Sequence, residues 1–477
     1  MHDDPQFKTL RVIFEAALLR IDPYGMIKDR VRLEGIPGQP GSRLVIEFEA
    51  ARHEVELARF SRILVLGCGK ASARMAKAVE EILGAGQAEG QSEGQSQGLP
   101  WGGLVCTKYG HTEALARIEQ AEAAHPVPDE AGVQAARRIA GLARAAGADT
   151  LVLNLISGGG SALLPAPMSY QDQGREVVLT LAHKQAVTRA LLACGADIRE
   201  INCVRKHLSE LKGGRFLRLL APATSVSLIL SDVVGDRLDT IASGITSADE
   251  STYAEALGIV RGYGVQGLIP AEALRALELG AAGKLDETPK PGDPALSSAT
   301  NLLIGTNHAA LLAACDKARE LGLNVAPLTC LLTGEAREVA RFLSGIGQDV
   351  RRTGMLVARP ACVILGGETV VTLVGEGKGG RNQEMALAFL AEMERDPEGG
   401  RGVAFLSAST DGTDGPTDAA GAYASPEMLR RARQAGLSTA AALKANDSYH
   451  FFEAIGGLYK TGPTRTNVCD LHLLLVE

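Results

Sequence analysis

The chain has 477 residues, 45% of them hydrophobic and 22% charged, and carries a net charge of -7. That balance belongs to a globular protein with a real core, and the length corresponds to two large α/β domains or three of about 150 residues. Aromatic residues make up only 4% and no Lys/Arg block occurs, which argues against nucleic acid or an anionic membrane as partner.

No apolar run reaches the ~18 residues of a membrane span, and the opening MHDDPQFKTL lacks the basic-then-apolar layout of a secretory signal. The eight cysteines are scattered without a CxxC pair. They read as reduced core residues of a cytoplasmic protein.

Residues 7–20 place apolar residues at helical spacing and predict a first amphipathic helix. Residues 61–83 read as a buried strand, a glycine turn and a helix; residues 84–98, poor in apolar residues, read as a surface loop. Strand, turn and helix recur through GGLVCTKYGHT, AGVQAARRIAGLARAAG, TLVLNLISGGGSALL, REINCVRKHLSELKGGRFLRLL and TSVSLILSDVVGDRLDTIASG. Apolar strands without alternation, interleaved with helices, predict a largely parallel sheet covered on both faces. Residues 251–294 are rich in breakers and read as a connecting segment, dividing the chain into domains 1–250 and 251–477. A second α/β set follows, in which TVVTLV (369–374) and LHLLLV (471–476) are expected as antiparallel strands.

Several turns carry residues suited to anions. GCGKAS places Lys70 where a strand gives way to a helix, so that its ammonium and the free helix amides can hold an anion together; the plain alternative is a solvated lysine. In LISGGGSALL the turn Ser157, Gly158, Gly159, Gly160, Ser161 exposes backbone N–H groups between a strand and a helix. A bare chain reversal explains one glycine and explains three poorly, because each costs about 0.5–1 kcal/mol relative to alanine. The turn is neither a Walker A loop nor a GxSxG elbow. Asp232 stands at the end of an apolar strand with Asp236 beyond it, a position for Mg²⁺ or for capping a turn. GGETVVTLVGEGKGGRNQE joins Glu368 to a basic glycine turn (Gly379, Gly380, Arg381) and a helix starting near Asn382; Arg381 is suited to phosphate or carboxylate. STDGTDGPTDAAGA spaces Asp411, Asp414 and Asp418 among glycines, as a metal ligand set or, more simply, a rigid acidic turn. Lys108 and His111 of CTKYGH lie in a polar turn.

These segments, with HPVPDEAG, VRKHLSELKGGR and TGPTRTNVCDL, make nine motifs in one order from about residue 60 to the C-terminus. In that order the chain resembles the class II glycerate kinases, the glycerate 2-kinase family with a leucine-rich C-terminal domain. The resemblance implies an N-terminal Rossmann-like parallel sheet with helices on both faces, a smaller mixed-sheet α/β C-terminal domain, and an active site in the interdomain cleft. It implies phosphorylation of D-glycerate by ATP to 2-phosphoglycerate, with Lys70 and Arg381 as the catalytic basic pair. Under that reading Ser157–Ser161, Lys206, Gly379 and Gly380 bind nucleotide phosphates, while Lys108, His111, Glu368 and Asn382 are substrate candidates. Asp232, with Asp236 and Asp411 behind it, would hold Mg²⁺. The partners are the small molecules ATP and D-glycerate, with no nucleic acid or membrane, and a homodimer is compatible with them.

Three residues depart from the family's habit: Arg465 stands where glycine is usual, Ile245 where proline is usual and, a milder change, Ser409 where glycine is common. An NAD(P)H-dependent hydroxypyruvate reductase is the competing enzyme. GCGKAS lacks the third glycine, and the next strand ends in Thr107 and Lys108, not in a ribose-binding acid. A non-catalytic ligand-binding protein on the same fold is the third reading.

Overall fold

The computed structural model describes residues 4–48, 51–88, 98–396, 398 and 400–477. Pro23–Ser231 and Asp236–Ile304 form a first unit; Met1–Asp22, Asp232–Gly235 and Gly305–Glu477 form a second. The expected N-terminal helix is α1 (Pro5–Arg20), opened by Asp4, whose carboxylate accepts from the Gln6 and Phe7 N–H groups. It belongs to the second unit, where Phe7 packs edge-on against Tyr423 and Tyr459.

The first unit is built on a six-stranded sheet: β1 (Arg62–Cys68), β2 (Trp101–Lys108), β3 (Ile118–Ala123), β4 (Thr150–Ile156), β5 (Thr224–Leu230) and β6 (Ala299–Gly305). Their spatial order is β6-β5-β4-β1-β2-β3, and β5, β4, β1, β2 and β3 pair in parallel. All of β4 and nearly all of β1 is buried, as strands in the middle of a covered parallel sheet must be. Helix α2 (Ser72–Ala88) follows β1 and α3 (Glu130–Arg144) follows β3. The stretch 84–98 is therefore a loop only in part: its first five residues finish α2, and residues 89–97 lie outside the described residues. A separate antiparallel sheet of Val31–Glu34, Arg43–Phe48 and Ala51–Glu56 had no clear signal in the sequence.

Further along lie α4 (Gly160–Leu163), α5 (Leu181–Ala193), α6 (Ile198–His207), α7 (Tyr253–Gly262) and α8 (Ala271–Ala281). The last two occupy the segment expected to connect domains, so the division at residue 250 is not the observed one. Tyr253, Ala256, Val260, Ala276 and Leu277 share a buried cluster with Val187, Leu191, Ile201 and Val204. The apolar spacing of 253, 256, 257 and 260 is helical, and the Gly and Pro around it only bound the two helices.

The second unit holds β7 (Asn324–Leu332), β8 (Ala361–Gly367), β9 (Val403–Ser409), β10 (Gly421–Ala424), β11 (Leu458–Tyr459) and β12 (Asp470–Val476), in the order β7-β8-β12-β9-β10-β11. Only β7 and β8 pair in parallel; every other neighbouring pair is antiparallel, which makes the sheet mixed. Its helices include α9 (Asn307–Glu320), α10 (Ala336–Thr353) and α11 (Arg381–Arg395). The expected strand 369–374 does not form. β8 already has β7 and β12 on its two edges, so the chain leaves the sheet after Gly367, and Val370, Leu373 and Val374 are 60%, 75% and 71% exposed. Among the described residues no helix is long and apolar enough to cross a membrane.

Gly280 tests how tightly α7 and α8 pack. Helix propensity alone makes Gly280→Ala stabilising by about 0.8–1.0 kcal/mol. A Cβ there would lie 2.2 Å from Cγ of the buried Tyr253 ring, and overpacking costs about 1–3 kcal/mol. Urea unfolding is expected to show a net loss of stability in Gly280→Ala; a gain would show that the ring yields freely.

Candidate active site

In the first unit β1 and β4 are neighbours in register, with Cys68 opposite Ile156. The two glycine turns that follow them leave the sheet side by side and interlock. Lys70 N–H donates to the Gly158 carbonyl (2.9 Å), and Ser157 N–H donates to the Cys68 carbonyl (3.0 Å). Ser157 Oγ accepts from Ala71 N–H at 3.0 Å. The glycines are demanded by this approach. Gly69 has φ +132°, and a Cβ on it would sit 2.1 Å from Ser157 Oγ; Gly159 has φ +82° and lies against the His125 ring; a Cβ on Gly160 would meet Cys68 Sγ at 2.8 Å. Ser157 is thus fully buried and occupied in holding the Lys70 turn. His111 Nδ1 lies 3.2 Å from the Lys70 carbonyl oxygen, and the His111 N–H donates to the Lys108 carbonyl at 3.0 Å. The Lys70 turn thus packs against the Ser157–Gly160 turn and the His111 ring.

One residue further, Ser161 is surrounded by cations. Lys212 Nζ donates to the Ser161 carbonyl (2.6 Å) and hydroxyl (2.9 Å), and Arg205 Nη2 donates to the same hydroxyl at 3.0 Å. The Ser243 hydroxyl lies 2.9 Å from that of Ser161. Ser243 is held in a left-handed turn, Ala242, Ser243 and Gly244 having φ of +49°, +57° and +66°. The Ser243 and Gly244 carbonyls accept from Gly213 and Gly214 N–H. Lys184, also buried, donates to the Leu208 carbonyl at 3.1 Å. Burial first, and the Arg205 charge second, push the Lys184 ammonium down to about 7 and the Lys212 ammonium well below its ordinary value. Among the described residues, Lys184, Arg205 and Lys212 make no ion pair with a carboxylate.

Lys206, expected at a phosphate, is instead buried in an ion pair with Asp249 (3.1 Å), with Asp239 at 3.7 Å. Successive residues of α6 point about 100° apart. Arg205 accordingly reaches Ser161 while Lys206 turns into the protein.

In the second unit β12 runs between β8 and β9, placing Asp470 opposite both Gly367 and Ser409. Arg381, in the first turn of α11, donates through Nε and Nη2 to the two Asp470 oxygens (2.5 and 2.9 Å), and its Nη1 pairs with Glu368 at 2.8 Å. Asp470 is fully buried. Burial pushes the Glu368 carboxyl up, Arg381 opposes the shift, and Asp470 and Asp232 add to it. Cys469 Sγ donates to the Asp232 carbonyl at 3.2 Å. Asp232, Glu368, Arg381 and Asp470 thus form one charged group.

The other expected residues are more structural. A Cβ on Gly379 would lie 2.1 Å from Ser448 Oγ, and one on Gly380 2.3 Å from the Asp414 carboxylate, so both glycines serve close packing. Asn382 is no surface ligand: it is fully buried, donating to Asp414 (3.2 Å) and accepting from Ser407 (2.7 Å). Asp411 accepts from Ser409 Oγ and Thr413 N–H, the rigid acidic turn of the simpler reading. Asp236 belongs to the first unit and Asp232 to the second. Among the described residues no group of three or more His, Cys, Asp or Glu is arranged to hold a metal ion. Sequence reasoning passed over Arg205, Lys212 and Asp470, although all three lie in the quoted motifs; nothing local marks which basic residue of VRKHLSELK turns toward Ser161.

Two substitutions check this description. Asp414 accepts the Asn382 and Gln383 N–H groups that open α11, yet burial outweighs those bonds and lifts its carboxyl to about 6. An unfolded Asp titrates near 3.9, so the folded state binds more protons between those values and stability from this group falls as pH rises from about 4 to about 6. Stability of wild type minus that of Asp414→Asn is expected to drop by about 3 kcal/mol over this interval; a flat difference contradicts the burial argument. Arg465 has φ +61°, a conformation costing a side chain about 1–2 kcal/mol against about 0.5–1 kcal/mol for the freedom glycine loses on folding. Arg465→Gly is expected to gain up to about 1 kcal/mol in thermal unfolding, and a clear loss would mean the arginine side chain repays the strain.

Comparison with known proteins fits this arrangement. The family profile described as "Domain of unknown function (DUF4147)" matches residues 9–278, and that of the MOFRL family matches residues 361–470. The D-glycerate 2-kinase of Thermotoga maritima is 41% identical over 90% of this chain and 94% of its own length. A protein of Agrobacterium vitis provisionally named a hydroxypyruvate reductase is 40% identical over 98% of this chain and 94% of its own. The crystal structure of glycerate kinase from Thermotoga maritima superposes with a TM-score of 0.80 at 37% identity, covering 99% of this chain and all of that one. By both profiles, by near full-length identity and by fold, the chain belongs to the glycerate kinase family that joins a DUF4147 domain to a MOFRL domain.

Proposed function

We propose that this chain is a glycerate 2-kinase: the bond from the ATP γ-phosphorus to its bridging oxygen breaks, and a bond from phosphorus to the C2 oxygen of D-glycerate forms. The observation that carries this reading is the near full-length likeness to a protein named D-glycerate 2-kinase, in a chain that keeps Lys70 and Arg381. Phosphoryl transfer asks the protein mainly to position reactants and to stabilise charge on the transferring group. Lys70, clamped by the Ser157–Gly160 turn, and Arg381, clamped by Asp470, are pre-organised for that work. Glu368, raised by burial and held by Arg381, accepts the proton of the attacking hydroxyl. Asp232 would hold Mg²⁺ together with phosphate oxygens and water, since this ion commonly uses one or two carboxylates with substrate phosphates. Bound there, the ion supplies charge neutralisation on the phosphates.

The reductase name of the Agrobacterium vitis relative finds no support at the turn where a dinucleotide would bind. The third-glycine position is Ser72, whose hydroxyl donates to the Gly69 and Cys106 carbonyls (2.8 and 3.0 Å).

ADP release from Mg·ATP and D-glycerate, with the product passed directly to enolase, is the first test. An enolase signal is expected, because enolase uses the 2-phosphate without a mutase; ADP without that signal would refute phosphorylation at C2, and NADH oxidation with hydroxypyruvate would favour the reductase. Lys70→Ala and Arg381→Ala are each expected to lower kcat by about 100- to 1000-fold. Near-normal kcat in either would remove that residue from the chemistry.

A further inference from the structure

Lys212 and Arg205 have no part in the chemistry above, and among the described residues neither is ion-paired with a carboxylate. We propose that Ser161, Arg205 and Lys212 form an oxyanion site that takes a carboxylate or phosphate group of a reactant. Lys212 is 2% exposed, and among the described residues its ammonium meets only the carbonyl and hydroxyl of Ser161. Arg205, half-buried, meets the same hydroxyl. Burying cations against neutral acceptors is costly unless an opposite charge arrives. The raised cost shows in the lowered ammonium of Lys212, which burial first, and then the nearby Arg205 and Lys184, push down.

Donors remain for that charge. One of the five guanidinium N–H groups of Arg205 is engaged at Ser161, and Lys212 uses one ammonium on two oxygens of one residue. The frame around them is stiff. Ser243 is the middle of three successive left-handed residues, and its carbonyl and that of Gly244 bind the Gly213–Gly214 turn directly after Lys212; such strain persists where the surrounding structure over-determines it. Lys206 does not compete, being neutralised by Asp249. Ser161 directly follows the turn that clamps Lys70. Assigning the anion to a reactant rests on the kinase reading; the site itself does not.

Thermal unfolding of the full chain with D-glycerate, ADP or inorganic phosphate reads the site directly. Wild type is expected to gain several degrees in Tm with at least one of the three, and Lys212→Met and Arg205→Gln are expected to bind that anion at least tenfold more weakly. Lys212→Met without ligand is expected to match or exceed wild-type Tm, because it removes an uncompensated buried charge; a lysine needed only for structure would lower it. Loss confined to D-glycerate identifies a carboxylate site, and loss with ADP or phosphate a phosphate site. Should Lys212→Met not fold, it contradicts the unbalanced-charge argument, and Arg205→Gln decides binding. Variants that respond like wild type to all three anions, or a wild type that none of them moves, overturn the site. A wild type that binds anions here yet makes no ADP from ATP and D-glycerate refutes the kinase reading alone.

Discussion

The register between β1 and β4 is the constraint on which the first unit's chemistry depends. Because the two strands are parallel and Cys68 stands opposite Ile156, both turns emerge at the same level and must share one small space. Glycine at 69, 159 and 160 allows the backbones to touch, and the exchanged hydrogen bonds then leave the Lys70 main chain little freedom. The three glycines therefore serve to fix the Lys70 backbone against the neighbouring turn.

The second unit solves the matching problem for an arginine by antiparallel pairing. β12 enters between β8 and β9 with Asp470 as its first residue, next to the point where Glu368 leaves β8. Asp470 takes one whole edge of the Arg381 guanidinium, fixing its plane, and Glu368 takes the remaining nitrogen. A bidentate pair of this kind fixes orientation as well as charge.

Around Ser161 the protein does the opposite and leaves cations unbalanced. Lys206, next to Arg205 on α6, is paired with the buried Asp249, which shows a counter-ion supplied where the structure needs one. The lack of one at Lys212 thus reads as a property of the place. Desolvation disfavours the ammonium there, and an approaching anion would favour it.

Much of this was legible in the chain alone. Apolar runs without alternation identified β1, β4 and β5 as parallel core strands, and the glycine turns after β1 and β4 marked the Lys70 and Ser157–Ser161 neighbourhoods, because such turns are local features of backbone conformation. The order of motifs carried the family. Which residue of a motif faces which partner was not legible. Arg205 and Lys206 are adjacent in sequence and opposite in role, Asn382 lies beside Arg381 yet is core, and α7 and α8 hid among Gly and Pro. The strand read at 369–374 failed because the chain leaves the sheet after Gly367 and pairs beyond it through an isolated bridge, Val370 to Glu335. Sequence determined the elements and the chemical inventory, since propensity, periodicity and turn geometry act over a few residues. Tertiary structure alone decided ion-pair partners, burial and the grouping of Asp232 with Glu368, because these depend on residues up to hundreds of positions apart.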